Sequence, residues 1–142
     1  IEESFIHLNK AKELRKNIKD SKLIETLVNI CENYIKLKKV DKAKDVLQEI
    51  MDNIEDGDHD ALVQYYLLKY RVHMLEGNLK EAESTLLLAL NFVRNMDYLK
   101  ESAEISIMIG KFYIDNGREN EAAQYLNNGV ELFKKLGILK ES

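Results

Sequence analysis

The chain has 142 residues, no proline, six glycines and a formal net charge of −4, with 45% hydrophobic and 32% charged residues. That balance argues against a disordered chain, and the shortage of helix-breaking residues favours an all-helical protein. The small negative charge gives no footprint for nucleic acid, no apolar run is long enough to cross a membrane, and the single cysteine cannot form an internal disulfide, so we expect a cytoplasmic protein.

Along the chain, apolar residues recur at helical spacing and predict seven helices. Gly77, Gly117 and Gly137 stand where a left-handed residue would end a helix. Asp41 stands where a side chain could cap the helix that follows. The predicted spans, good to about 2–4 residues at each end, are 2–19, 22–37, 41–55, 60–76, 79–95, 100–116 and 119–136.

A short turn, a charged first helical turn and a small residue occur in that order three times, over residues 38–43, 77–82 and 117–122. The alanines that close these segments are 39 and 40 residues apart. Near the end of the chain, Lys140-Glu141-Ser142 repeats Lys100-Glu101-Ser102. A fixed period near 40 residues predicts a repeat protein built from helix hairpins that stack on one another.

The period predicts one solenoid domain over residues 1–142. Neither end of the chain coincides with a boundary between repeats, so we expect the chain to be a piece of a longer array. Its expected parts are the second helix of a preceding repeat (1–20), three complete repeats (21–58, 59–99 and 100–139) and the start of a further repeat (140–142).

The third repeat carries the most specific motif, in Ile109-Gly110-Lys111-Phe112-Tyr113, Asn116-Gly117 and Glu121-Ala122, followed by Leu126 and Gly129. This pattern resembles the tetratricopeptide repeat. The resemblance implies an α-α superhelix, a right-handed solenoid of antiparallel helix hairpins, in which Gly110 lets two helices approach closely while Tyr113 packs across the pair. The first two repeats depart from the pattern, with Cys31 and Tyr70 in place of the glycine and His73 in place of one tyrosine.

In this family the first helix of each repeat lines a concave groove, which implies a surface that binds a protein or peptide here. Its apolar residues would form two rows with charged residues between them; the alternative is that these rows pack against neighbouring helices. Glu32 and Glu104 stand where members that clamp acidic chaperone tails have basic or amide side chains, so that partner is disfavoured. The predicted groove residues are Glu25, Val28, Glu32, Ile35, Lys36, Gln64, Leu67, Arg71, Met74, Leu75, Glu104, Ile107, Lys111, Ile114 and Asp115.

Residues that could carry catalysis or hold a metal are scattered along the chain. The three histidines, His7, His59 and His73, form no pair at the spacing of metal ligands. The acidic segment 55–60 fails the spacing of a calcium loop and predicts a turn between repeats, and Cys31 falls at a helix contact where a buried thiol is expected. We therefore predict no enzyme activity, no metal and no cofactor.

The leading hypothesis is an interaction module, a scaffold or sensor, of a larger cytoplasmic signalling or regulatory protein of bacteria, with a peptide or helix bound in its groove. One alternative is the signalling-peptide receptor domain of a transcription regulator. Another is architectural self-association, giving a homodimer through apolar residues at the ends of the solenoid, among them Phe5, Leu132, Phe133 and Leu136. Neither a nucleic acid nor a membrane is expected as a partner.

Overall fold

A computed structural model describes residues 20–137, and within them the chain is helical throughout except for short turns. The all-α helical-repeat class is therefore confirmed, while the first predicted helix, 2–19, lies outside the described residues. No helix in the described range is long and apolar enough to span a membrane. The helices are α1 (Asp20–Lys36), α2 (Val40–Asn53), α3 (His59–Glu76), α4 (Leu79–Asn95), α5 (Leu99–Asp115) and α6 (Glu119–Lys135).

The chain divides into two compact units, unit 1 ending at Gly77 and unit 2 beginning at Asn78. This division falls between the two helices of the predicted second repeat, so the repeat boundaries inferred from the sequence remain predictions. Unit 1 contains α1, α2 and α3, and unit 2 contains α4, α5 and α6.

The core of unit 1 forms where the apolar face of α1 meets that of α2, and α3 covers both helices. Small residues bring the first two helices together, since Cys31 and Ala43 are fully buried and the Cys31 thiol donates a hydrogen bond to the Ala43 carbonyl oxygen at 3.7 Å. Leu27 and Ile50 fill the adjoining space. Cys31 thus occupies the small-residue contact that glycine provides in the third repeat.

In unit 2, α5 and α6 pack closely against each other at two glycines. A Cβ atom on Gly110 would lie 2.5 Å from Cγ and Cδ2 of Leu126 and 3.3 Å from the Ala122 carbonyl oxygen. A Cβ atom on Gly129 would lie 2.6 Å from Cδ1 of Ile107. Since carbon atoms do not approach this closely, both positions require glycine in the observed packing, and the predicted close contact at Gly110 is confirmed.

Each turn between consecutive helices contains one residue with positive φ, and these residues recur at the repeat spacing. Gly77 and Gly117 have φ of 74° and 75°, as predicted for helix ends, and Gly57 has φ of 90°. Lys38 and Asp97 adopt the same conformation, both with φ of 59°, without the glycine that normally marks it. The turns therefore repeat more regularly in backbone conformation than in sequence.

The prediction that Asp41 caps a helix was wrong. Helix α2 begins at Val40 and Lys39 occupies the cap position with no side-chain hydrogen bond, so Asp41 lies within the first turn. There a carboxylate still interacts favourably with the positive end of the helix dipole. Asp58 and Asn78 do cap their helices, accepting hydrogen bonds from the backbone N–H groups of Ala61 and Glu81.

Candidate interaction surface

A pocket of unit 1 lies between α1 and α3 and has a volume of about 380 Å³. We call it the Glu25 pocket. It receives one row of side chains from each helix, because residues spaced three and four apart share a helix face. Its lining residues are Glu25, Val28, Asn29 and Glu32 on α1 and Gln64, Leu67, Leu68 and Arg71 on α3.

A second pocket of about 320 Å³, here called the Met74 pocket, follows further along α3. Arg71 borders both pockets, so the two adjoin. The Met74 pocket is lined by Ile35 on α1 and by Tyr70, Arg71, Met74 and Leu75 on α3.

The apolar side chains of these pockets differ in how much of their surface is exposed to solvent. Val28 and Ile35 are only 8% and 7% exposed and belong to the hydrophobic core of unit 1. Leu67, Met74 and Leu75 are half-buried and keep part of their surface open. The pockets therefore have a fixed apolar floor on α1 and accessible apolar walls on α3.

Charged groups lie along the edge of the Glu25 pocket. Nη1 of Arg71 lies 3.9 Å from Oε2 of Glu32, an ion pair too long to be a hydrogen bond, and both side chains are partly exposed. Glu25 is exposed, and no ion pair of the described residues includes it. The pocket thus combines one compensated pair of charges with one uncompensated carboxylate.

The remaining predicted groove residues line neither of these two pockets. Lys36 is exposed at the end of α1. On α5, Ile107 packs on Gly129, so its side chain is committed to the contact between α5 and α6. The other four residues predicted on α5 are exposed, and they are Glu104, Lys111, Ile114 and Asp115.

Three pocket residues were absent from the predicted set: Asn29, Leu68 and Tyr70. Asn29 lies one turn after Glu25 on the same helix, so helical spacing alone could have placed it on this face. Leu68 and Tyr70 follow directly after Leu67 and Lys69, at the border between groove and core, where periodicity does not separate the two environments.

Unit 2 contains a pocket that the sequence did not predict, with a volume of about 390 Å³. It lies between the ends of α4 and α6 and the start of α5, and it mixes both signs of charge. Its lining residues are Arg94, Asp97, Leu99, Ser102, Asn128, Glu131, Leu132 and Lys135.

Within residues 20–137 no group of three or more His, Cys, Asp or Glu side chains is placed to hold a metal ion. Burial raises the pKa of the Cys31 thiol from 9.0 to about 11, which keeps the sulfur protonated and poorly nucleophilic at neutral pH. The acidic segment 55–60 covers most of the turn between α2 and α3 and the first two residues of α3.

Comparison with known proteins agrees with the repeat motif. A family model described as a tetratricopeptide repeat matches residues 103–135. The interferon-induced protein with tetratricopeptide repeats 2 of Mus musculus is 28% identical over 145 residues, which cover 92% of this chain and 30% of the mouse protein. The crystal structure of BtubC (BKLC) from P. vanneervenii matches with a TM-score of 0.76 at 19% identity, covering 92% of this chain and 54% of that chain.

The chain spans less than two thirds of either of these proteins. The likeness to the solved structure concerns the fold, and the motif match and the mouse relative concern the family. Tetratricopeptide-repeat proteins generally serve as interaction scaffolds rather than as catalysts. The repeat spacing, the glycine contact at Gly110 and these matches support assignment to the tetratricopeptide-repeat family, whose repeats are protein–protein interaction modules.

Proposed function

We propose that the chain binds a peptide or helix of a partner protein in the groove between α1 and α3. The observation that carries this proposal is the convergence of two independent results. Ten groove residues were predicted on these two helices, and every one except Lys36 lines the Glu25 pocket or the Met74 pocket. Helical spacing and family resemblance chose the residues, whereas the cavities follow from the packing of the three helices.

The groove has the physical character of a peptide-binding surface. Leu67, Met74 and Leu75 have apolar surface still to bury, and covering a large apolar side chain contributes about 1.5–3 kcal/mol. A few such anchors supply most of the binding energy in protein interfaces. The charged side chains at the edge orient a partner and discriminate between partners more than they add affinity.

We further propose that this module acts as scaffold or sensor within a larger cytoplasmic signalling or regulatory protein of bacterial origin. Because the chain covers 30% of its mouse relative, further domains are compatible with this role. A short signalling peptide is one partner of suitable size, since the two adjoining pockets have volumes of about 380 and 320 Å³.

The test compares two double variants with the unaltered chain. Leu67→Glu/Met74→Glu places charges on the apolar walls of both pockets. Met51→Glu/Leu88→Glu makes the same chemical change at exposed positions that line neither pocket. Proteins and peptides captured from bacterial lysate are identified by mass spectrometry, and circular dichroism checks that all three chains are equally helical.

We expect partners that the control variant retains and the groove variant loses. A partner photo-crosslinked through a probe at Gln64, on the pocket rim, would identify the groove as its site. Partners captured equally by all three chains would place the binding surface elsewhere and contradict the proposal.

A second candidate function is self-association through α6. A shift of 40 residues relates α4 to α6, but the two helices differ in solvent exposure at matching positions. Leu90 on α4 is 2% exposed, whereas its counterpart Val130 on α6 is 36% exposed. Leu136, which directly follows the same helix, is also exposed. Sedimentation velocity across a range of concentrations should show a rising mass that Val130→Glu/Leu136→Glu abolishes, and a constant monomer mass would refute this candidate.

A further inference from the structure

The charges around the Glu25 pocket do not balance. Glu25 and Glu32 contribute two carboxylates, and Arg71 contributes one guanidinium. Arg71 lies 3.9 Å from Glu32, so these two charges largely compensate each other. Lys22, one turn before Glu25 on α1, is not within ion-pair distance of it. Among residues 20–137, an exposed carboxylate at the rim of the pocket therefore remains without a cation.

The Met74 pocket, in contrast, is lined mainly by apolar side chains. Ile35 forms its buried floor, and Met74 and Leu75 provide partly open apolar walls. Glu25 and Ile35 mark the acidic rim and the apolar recess along α1, and at 1.5 Å per residue they are about 15 Å apart along the helix axis. The groove thus presents an acidic rim and an apolar recess at a fixed separation.

Building on the proposed function, we infer that the groove selects a polypeptide segment with a lysine or arginine for Glu25 and a large apolar side chain for the Met74 pocket. A separation of about 15 Å corresponds to about four or five residues of an extended segment or about three turns of a helix. A basic side chain gains an ion pair with Glu25 without displacing Arg71 from Glu32. An acidic segment would meet two carboxylates and would have to separate that pair.

In unit 2, helix α5 carries an acidic and an apolar residue at the same spacing. Glu104 and Ile114 have the same spacing in sequence as Glu25 and Ile35, and both are exposed. An acidic position followed three turns later by an apolar one is therefore a property of the first helix in more than one repeat.

The experiment selects peptides from a random displayed library on four versions of the chain. These are the unaltered chain, Glu25→Lys, the groove-blocked Leu67→Glu/Met74→Glu, and Asp45→Lys, which reverses an exposed charge on α2 outside both pockets. The readouts are the residue composition of the selected peptides and their Kd for each version, measured by fluorescence anisotropy at low and high salt.

We expect the unaltered chain and Asp45→Lys to select peptides rich in lysine or arginine with one bulky apolar residue. Glu25→Lys should bind these peptides about tenfold more weakly and lose the preference for basic residues. High salt should narrow that difference, because the rim charge is exposed.

The outcomes separate this inference from the proposed function. Peptides that are acidic or uncharged, yet fail to bind the groove-blocked variant, would overturn the basic-segment inference and leave the groove as the binding site. A groove-blocked variant that selects the same peptides as the unaltered chain, or a chain that enriches none, would overturn both.

Discussion

Glu83 and Arg118 form a two-point ion pair between α4 and the turn before α6, with Nη1–Oε1 and Nη2–Oε2 distances of 2.6 and 3.0 Å. Arg118 also bonds to Glu121 and lies over the ring of Tyr113, 4.2 Å from its centroid. The Tyr113 hydroxyl in turn donates a hydrogen bond of 2.8 Å to Glu83. One partly buried carboxylate therefore links all three helices of unit 2.

This network predicts an acid-sensitive contribution to stability. The hydrogen bonds from Arg118, more than any other interaction, hold the pKa of Glu83 below its usual 4.5. A carboxylate whose pKa is depressed in the folded state stabilises the protein above its unfolded pKa, and this stabilisation is lost as the pH falls through the folded pKa. Glu83→Gln should therefore lower the thermal midpoint by a few degrees near neutral pH, with the gap closing as the pH falls below about 4.5.

Thermal unfolding followed by circular dichroism across a pH series measures this gap. Glu104→Gln, at an exposed position on α5, serves as the control and should leave the midpoint nearly unchanged at neutral pH. A gap for Glu83→Gln that stays constant down to the lowest pH would show that the carboxylate charge is not what links the helices.

Gly110 should tolerate no large side chain. A Cβ atom there would overlap Leu126, and a leucine would force α5 and α6 apart, so Gly110→Leu should lower the free energy of unfolding by about 3 kcal/mol. Ala123→Leu, at an exposed position on α6, should have little effect because both residues favour helix. Urea unfolding gives both values.

A double variant tests the proposed contact directly. Gly110→Ala should cost less in a Leu126→Ala background than alone, because the shorter side chain leaves room for the added methyl group. Additive effects of the two substitutions would contradict the packing of Gly110 on Leu126.

Lys38 is a site where glycine should stabilise the protein. Its φ of 59° is strained for a side chain with a Cβ atom, and the matching turn positions are Gly77 and Gly117. Lys38→Gly should raise the free energy of unfolding by about 0.5–1 kcal/mol, after allowance for the extra freedom of glycine in the unfolded chain. Lys39→Gly, at a φ of −91°, should lower it instead, and a gain for both substitutions would refute the strain argument.

Cys31 should be inert in the folded protein. Its side chain has no exposed surface, and burial raises the pKa of its thiol to about 11, so the reactive thiolate is scarce at neutral pH. An aromatic disulfide reagent should react with the thiol only as denaturant opens unit 1, at a rate that follows unfolding. Immediate reaction in native buffer would place the thiol at the surface.

The sequence by itself determined the helices and the contacts that depend on residue size. Periodicity located all six helices of the described range to within about two residues, and the small residues at repeat spacing identified where helices touch, as at Gly110. These features are local or depend on a single side chain's volume, so they can be read without knowledge of neighbouring elements.

Only the tertiary structure decided what covers each helix face. Val28 and Leu67 occupy matching positions in their repeats, yet Val28 is buried in the core and Leu67 is half-open to the groove. Helical spacing tells which residues share a face, but it does not tell what packs on that face. For the same reason the ion pair of Glu83 with Arg118, 35 residues apart, emerged only from the packing of α4 against the following hairpin.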